Sequence, residues 1–134
     1  MSAPKPYLHF PGTARQALAF YQEVFGGEVI LNTFAEFRRD DGPADGIAHG
    51  ILDGPVSLYA ADAADGEESF RSTGLMFSLL GTSSASELRT WFGALAEGGT
   101  LREELQVRPW GASDGQVVDR YGVHWLIGFE DAEV

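Results

Sequence analysis

Apolar residues Ala14, Ala17, Leu18, Tyr21, Val24 and Phe25 recur at intervals of three and four, which gathers them on one stripe of a helix that must be buried. Thr13 with Gln16 has the spacing of a capping box at the start of that stripe. Gly26-Gly27 stops it, one of the glycines supplying the left-handed cap that a side chain resists. Glu28 to Phe37 follows as a strand. The same order returns about seventy residues later, with Ser84 and Glu87 as cap, Leu88, Trp91, Phe92 and Leu95 as stripe, Gly98-Gly99 as stop and Thr100 to Val107 as strand. A repeat of this length predicts two modules of about sixty residues sharing one folded unit.

The remaining elements follow from alternation. Lys5 to Phe10 reads as a first strand with Leu8 and Phe10 on the face toward the helix and Tyr7 and His9 on the other. Arg38 to Asp45 lacks a large apolar anchor and reads as a solvated loop. Ile47 to Leu52 and Val56 to Ala61 form a hairpin about Asp53-Gly54-Pro55. Ile47, His49 and Ile51 share one face of it, and Tyr59 opposes Leu58 and Ala60. Ala61 to Phe70 is acidic and flexible by composition, so the module boundary falls there, with module one at about 4–63 and module two at about 72–130 of a single domain, 1–134. Gly74 to Leu80 has few polar breaks and is expected to be a central strand covered on both faces. Arg108 to Gly115 reads as a loop. Gln116 to Asp119 and Val123 to Phe129 are the last strands, joined by a turn in which Asp119 bonds its own backbone. The sum is an α+β chain of βαβββ twice, a mixed sheet with helices on one side.

Charge narrows the function classes. With 20 acidic and 9 basic residues the chain carries -11, the wrong sign for a phosphate backbone or an anionic membrane surface. The acidic clusters read as solvated surface, and acidity steers a cation only as well as it solubilises. There is no cysteine, hence no disulfide framework and no thiolate. The opening MSAPKPYLHF lacks an apolar targeting segment, and no run approaches the roughly 20 apolar residues of a membrane helix, so a cytoplasmic protein is expected. No nucleophile elbow, phosphate cradle or zincin motif occurs.

The run PYLHFPGTARQALAFYQEVFGGEV, the hairpin HGILDGPVSLYAAD, Trp110-Gly111 and the ending VVDRYGVHWLI together resemble the vicinal oxygen chelate superfamily, the glyoxalase/bleomycin resistance/dioxygenase group, and within it the small PhnB-like proteins. The resemblance covers nearly the whole chain. It implies two βαβββ modules whose sheets curl into a cup with the helices outside, often completed by a homodimer partner. Superfamily enzymes usually hold a divalent metal through histidine and glutamate from the first and fourth strands of each module, a set suited to Zn, Ni, Mn or Fe. Here the carboxylate position of the last strand is Leu126, Gly74 to Leu80 has no imidazole or carboxylate, and Val56 to Ala61 has no acid. Only His9 stands near a ligand position.

The candidate ligand-binding residues are therefore His9, Tyr7, His49, Tyr59, Phe77, Trp110 and His124, with no metal ligand and no cofactor assigned. Tyrosine and tryptophan suit such a role because each joins a broad apolar face to one polar handle. Trp91 and Trp125 are expected under helices, and Trp110 at a pocket rim or subunit surface. These features imply a protein that binds a small molecule without a complete metal site and forms a homodimer. The alternative is a metal-dependent lyase, isomerase or dioxygenase of the same superfamily.

Overall fold

The computed structural model describes residues 4–71 and 73–130. The start of the N-terminal stretch and position 72, where the second module was expected to begin, lie outside them. The chain divides between Phe70 and Arg71 into two compact units, each a four-stranded mixed sheet with one helix on one face, so the fold is α+β with two βαβββ modules.

In the first unit the elements are β1 (Tyr7–Phe10), α1 (Ala14–Phe25), β2 (Glu28–Thr33), β3 (Ile47–Asp53) and β4 (Leu58–Asp62), in sheet order β1-β4-β3-β2. The β1–β4 pair is parallel and the others antiparallel. Helix α1 buries Ala14, Ala17, Leu18, Phe20, Tyr21 and Phe25 against the sheet face that carries Leu8, Phe10, Leu52, Leu58 and Ala60. Each large side chain so buried contributes about 1.5–3 kcal/mol, and it is this stripe, more than helix propensity, that holds twelve residues helical.

The helix start differs from the sequence expectation. Thr13 makes no side-chain cap. Asp62, at the end of β4, accepts instead from Ala14 N–H with Oδ1 at 2.9 Å and from Ile47 N–H with Oδ2 at 2.8 Å. One buried carboxylate thus serves the first turn of α1 and the first residue of β3, and the positive end of the helix favours it. At the other end Gly26 takes φ +83°, and Gly27 passes so close to the β3–β4 turn that a Cβ there would stand 2.5 Å from the Asp53 carbonyl oxygen. The double glycine therefore serves both a cap and a close backbone crossing.

Three other segments depart from expectation. β2 ends at Thr33, short of Phe37, because Thr33 and Glu36 form a reciprocal capping pair, Glu36 Oε1 accepting from Thr33 N–H and Thr33 Oγ1 from Glu36 N–H. The turn it opens drives Phe34 into complete burial. The acidic stretch after β4 is not free, since Ala63 N–H continues the β1–β4 ladder to the Phe10 carbonyl and Phe70 N–H donates to the His9 carbonyl on the other edge of β1. Asp65 N–H reaches the Asp41 carbonyl, joining this stretch to the 38–45 loop.

The second unit repeats the plan with β5 (Phe77–Leu80), α2 (Ala85–Ala96), β6 (Thr100–Val107), β7 (Ala112–Val118) and β8 (His124–Glu130), in order β5-β8-β7-β6. Ser84 caps α2 by accepting from Glu87 N–H at 3.1 Å, and Leu88, Trp91, Phe92 and Leu95 are buried as the stripe predicts. β5 is an edge strand and only partly covered, not the central strand expected from its apolar run. Arg108 to Gly111 is the tip of a hairpin, and β7 begins at Ala112, inside the expected loop. Asp119 closes the β7–β8 turn through Tyr121 N–H and also accepts from the buried indole of Trp125 at 2.9 Å.

Removing the Asp62 carboxylate leaves two buried N–H donors without an acceptor, each costing about 1–3 kcal/mol, whereas Thr13 has no side-chain bond to lose. Asp62→Ala should lower the unfolding free energy by about 2–5 kcal/mol and Thr13→Ala by less than about 0.5 kcal/mol. Urea unfolding of the two variants beside the parent is the measurement; equal effects would refute the assignment of the cap.

Candidate functional site

The helix-free face of the first sheet collects four of the sequence candidates. Parallel register sets Tyr7 of β1 beside Tyr59 of β4, and His49 enters from β3 on the same side. Tyr7 is the hub. Its ring stacks on His9 at 5.1 Å and 17°, and lies 5.5 Å from His49 and 5.7 Å from Tyr59, while His49 and Tyr59 are 5.4 Å apart. The Tyr7 hydroxyl and His49 Nδ1 are 2.8 Å apart, a full hydrogen bond. β1 can present these groups because its alternate residues, Leu8 and Phe10, are buried under α1.

Polar groups ring the cluster. Glu67 Oε1, which accepts from Ala64 N–H, stands 3.6 Å from His9 Nε2, too far for a hydrogen bond but close enough for an ion pair when the imidazole is protonated. Lys5 Nζ lies 5.6 Å from the centre of the Tyr59 ring. Arg39 is held by both Asp41 oxygens, at 2.9 and 2.7 Å, and covers Phe34. The acidity of Tyr7 is weakened chiefly by burial, with Glu67 adding to the effect and Arg39 opposing it. The phenol therefore stays neutral at physiological pH, and the Tyr7–His49 pair offers one donor and one acceptor whose places interchange with the imidazole tautomer. Such a pair can bind a carbonyl or hydroxyl, or relay a proton to one.

The other candidates lie in the second unit. His124 is on the helix-free face of that sheet with Nε2 2.9 Å from Gln116 Oε1. Phe77 is paired with Trp125 and meets its ring edge-on at 5.6 Å, on the side packed by α2, so it does not share the His124 face. Trp110, at the hairpin tip, is 71% exposed and borders a cavity of about 280 Å³ with Leu80, Asp114 and Phe129.

Within each unit the first and fourth strands do not bring metal donors side by side. Register pairs His9 with Ala61 across the first and fourth strands of the first unit, and Ser78 with Leu126 across those of the second. Sequence reasoning missed the acid of the fourth strand, Asp62, but both its oxygens are engaged by backbone N–H groups. Among the described residues no three His, Cys, Asp or Glu side chains converge.

The model of the Glyoxalase/Bleomycin resistance protein/Dioxygenase superfamily matches residues 7–127. The chain belongs to this superfamily. Among solved structures, the crystal structure of protein PA1353 from Pseudomonas aeruginosa is similar at 32% identity, with a TM-score of 0.78 over 97% of this chain and 98% of that one. Protein YjdN of Escherichia coli K12 is 28% identical over 137 residues, 91% of each chain. The fold also matches a Bacillus cereus protein described as a putative 3-demethylubiquinone-9 3-methyltransferase, PhnB protein, at 21% identity and a TM-score of 0.77 over 96% of this chain and 99% of that one. No helix among the described residues is long and apolar enough to cross a membrane.

Because burial raises the Tyr7 pKa above its unfolded value, the associated stability is complete below about pH 10 and is lost as pH rises through the folded pKa. The ultraviolet titration of the parent minus that of Tyr7→Phe should show a phenol ionising later than an ordinary tyrosine, and the variant should lose that group's share of the alkaline decline in stability. A difference step at the ordinary tyrosine position would refute the shift.

Proposed function

We propose that this superfamily member is a cytoplasmic small-molecule-binding protein of the glyoxalase/bleomycin resistance type, acting without a complete metal site, and that Tyr7, His9, His49 and Tyr59 receive the ligand. The observation that carries this reading is the Tyr7–His49 hydrogen bond set among four rings on a helix-free sheet face. Flat aromatic surface with a neutral donor–acceptor pair suits an unsaturated ligand bearing a carbonyl or hydroxyl. In nuclear magnetic resonance titrations with flat aromatic fragments bearing such groups, the signals of His9 and His49 should move together. Tyr59→Ala should weaken the fragments that bind by about tenfold or more, the order of one lost aromatic contact with its burial. A calorimetric titration of metal-stripped protein with Zn, Ni, Mn and Fe is the counter-test. A stoichiometric site tighter than about 1 μM would favour the metal-dependent lyase, isomerase or dioxygenase instead.

The chain is further proposed to act as a homodimer. Strand β6 is an edge strand exposed on both faces, with Leu101 at 48% and Val107 at 71%, and Trp110 at the adjoining hairpin tip is equally open. An unpaired edge carrying exposed Leu101, Val107 and Trp110 favours a second chain. Sedimentation equilibrium in 0.15 M salt, where charges more than about 8 Å apart are screened, should give twice the chain mass, and Trp110→Ala should shift the protein toward monomer. A single species of one-chain mass would dispose of the dimer.

A further inference from the structure

The second unit holds a cavity of about 500 Å³ lined by Thr73, Gly74, Leu75, Met76, Arg102, Gln116 and His124. Although the chain carries 20 acidic residues, none lines this cavity. Its charged group, Arg102, is a donor. Gln116 Oε1 is occupied by the His124 imidazole, which leaves the Gln116 amide NH2 as the outward group. Arg102 brings a guanidinium with five N–H donors and, among the described residues, makes no ion pair, in contrast with Arg39 and Arg108, which are held by carboxylates.

The backbone gives Arg102 this position. Leu101 pairs with Val117 and Glu103 with Gln116, so two steps along β6 match one along β7 and Arg102 is the extra residue of a bulge. Leu101 lies opposite the buried Val117, so alternation puts Arg102 on the other, helix-free face, where it lines the cavity with Gln116 and His124, and the bulge interrupts the ladder beside it. Leu75 and Met76, 47% and 41% exposed, supply an apolar wall.

We infer that this cavity is an oxyanion site, taking a carboxylate or phosphate carried on a small apolar body, with Arg102 as its charged anchor and Gln116 as its neutral donor. Bidentate pairing of a guanidinium matches both anions. The inference is independent of the ligand face of the first unit, since none of its residues is shared.

Calorimetric titration with benzoate, phenyl phosphate and the neutral benzamide separates the alternatives. At least one of the two anions should bind with a Kd below about 1 mM and at least about tenfold tighter than benzamide. The preferred anion identifies the source, carboxylate or phosphate. Arg102→Gln should weaken it by about tenfold or more, the size of a lost charge-assisted bond. Because Arg102 is exposed, the variant should keep the parent's unfolding midpoint. Amide and imidazole signals of Gln116 and His124 should shift on titration. The inference is overturned if neither anion reaches that affinity, if benzamide binds equally well, if Arg102→Gln retains the parent affinity, or if the shifts fall elsewhere.

Discussion

The first unit depends on one carboxylate. Asp62 ends the strand at the middle of the sheet order and uses its two oxygens to hold the first N–H of α1 and the first N–H of β3. These segments are far apart in sequence, 48 and 15 residues from Asp62, so the contact fixes how the helix enters over the sheet and where β3 begins. A neutral cap such as serine could accept at one point only; a carboxylate has two oxygens for two donors. The second unit uses an acid differently, with Asp119 closing the β7–β8 turn and holding the Trp125 indole beneath α2.

The helix and strand order was legible because period and punctuation agreed. The two stripes, the Ser84 cap and both double glycines lie where apolar spacing and conformational need place them. What escaped was long-range. Nothing near Thr13 announces that the acceptor for α1 comes from Asp62, and the apolar run before α2 could not reveal that β5 sits at an edge. The early end of β2 was readable in principle, because Thr33-Phe-Ala-Glu36 is itself a capping-box pattern, but β-rich residues on either side hid it.

Within the candidate site, alternation correctly put Tyr7 and His9 on the face away from the helix, and the structure adds His49 and Tyr59 to them. For Phe77 no such rule was available. A four-residue edge strand leaves its facing undecided until its register with β8 is known, and that register sends Phe77 to the side of Trp125. Arg102 was hidden for another reason, since the facing of β6 is undecided until Leu101 is known to pair with the buried Val117.

These features show how the first unit keeps an organised face although its first and fourth strands do not bring metal donors together. A divalent centre needs imidazoles and carboxylates converging from strands that do not neighbour one another in sequence. In the first unit the single first-strand imidazole faces Ala61, and the nearest fourth-strand acid has been drawn to the helix side as a structural ligand for two N–H groups. Turning Asp62 toward His9 would orphan both donors, so the acid is committed to the fold. The phenol–imidazole pair suits that face, because a phenol is uncharged at physiological pH, partial burial weakens its acidity further, and its bond to His49 fixes both rings without requiring an ion.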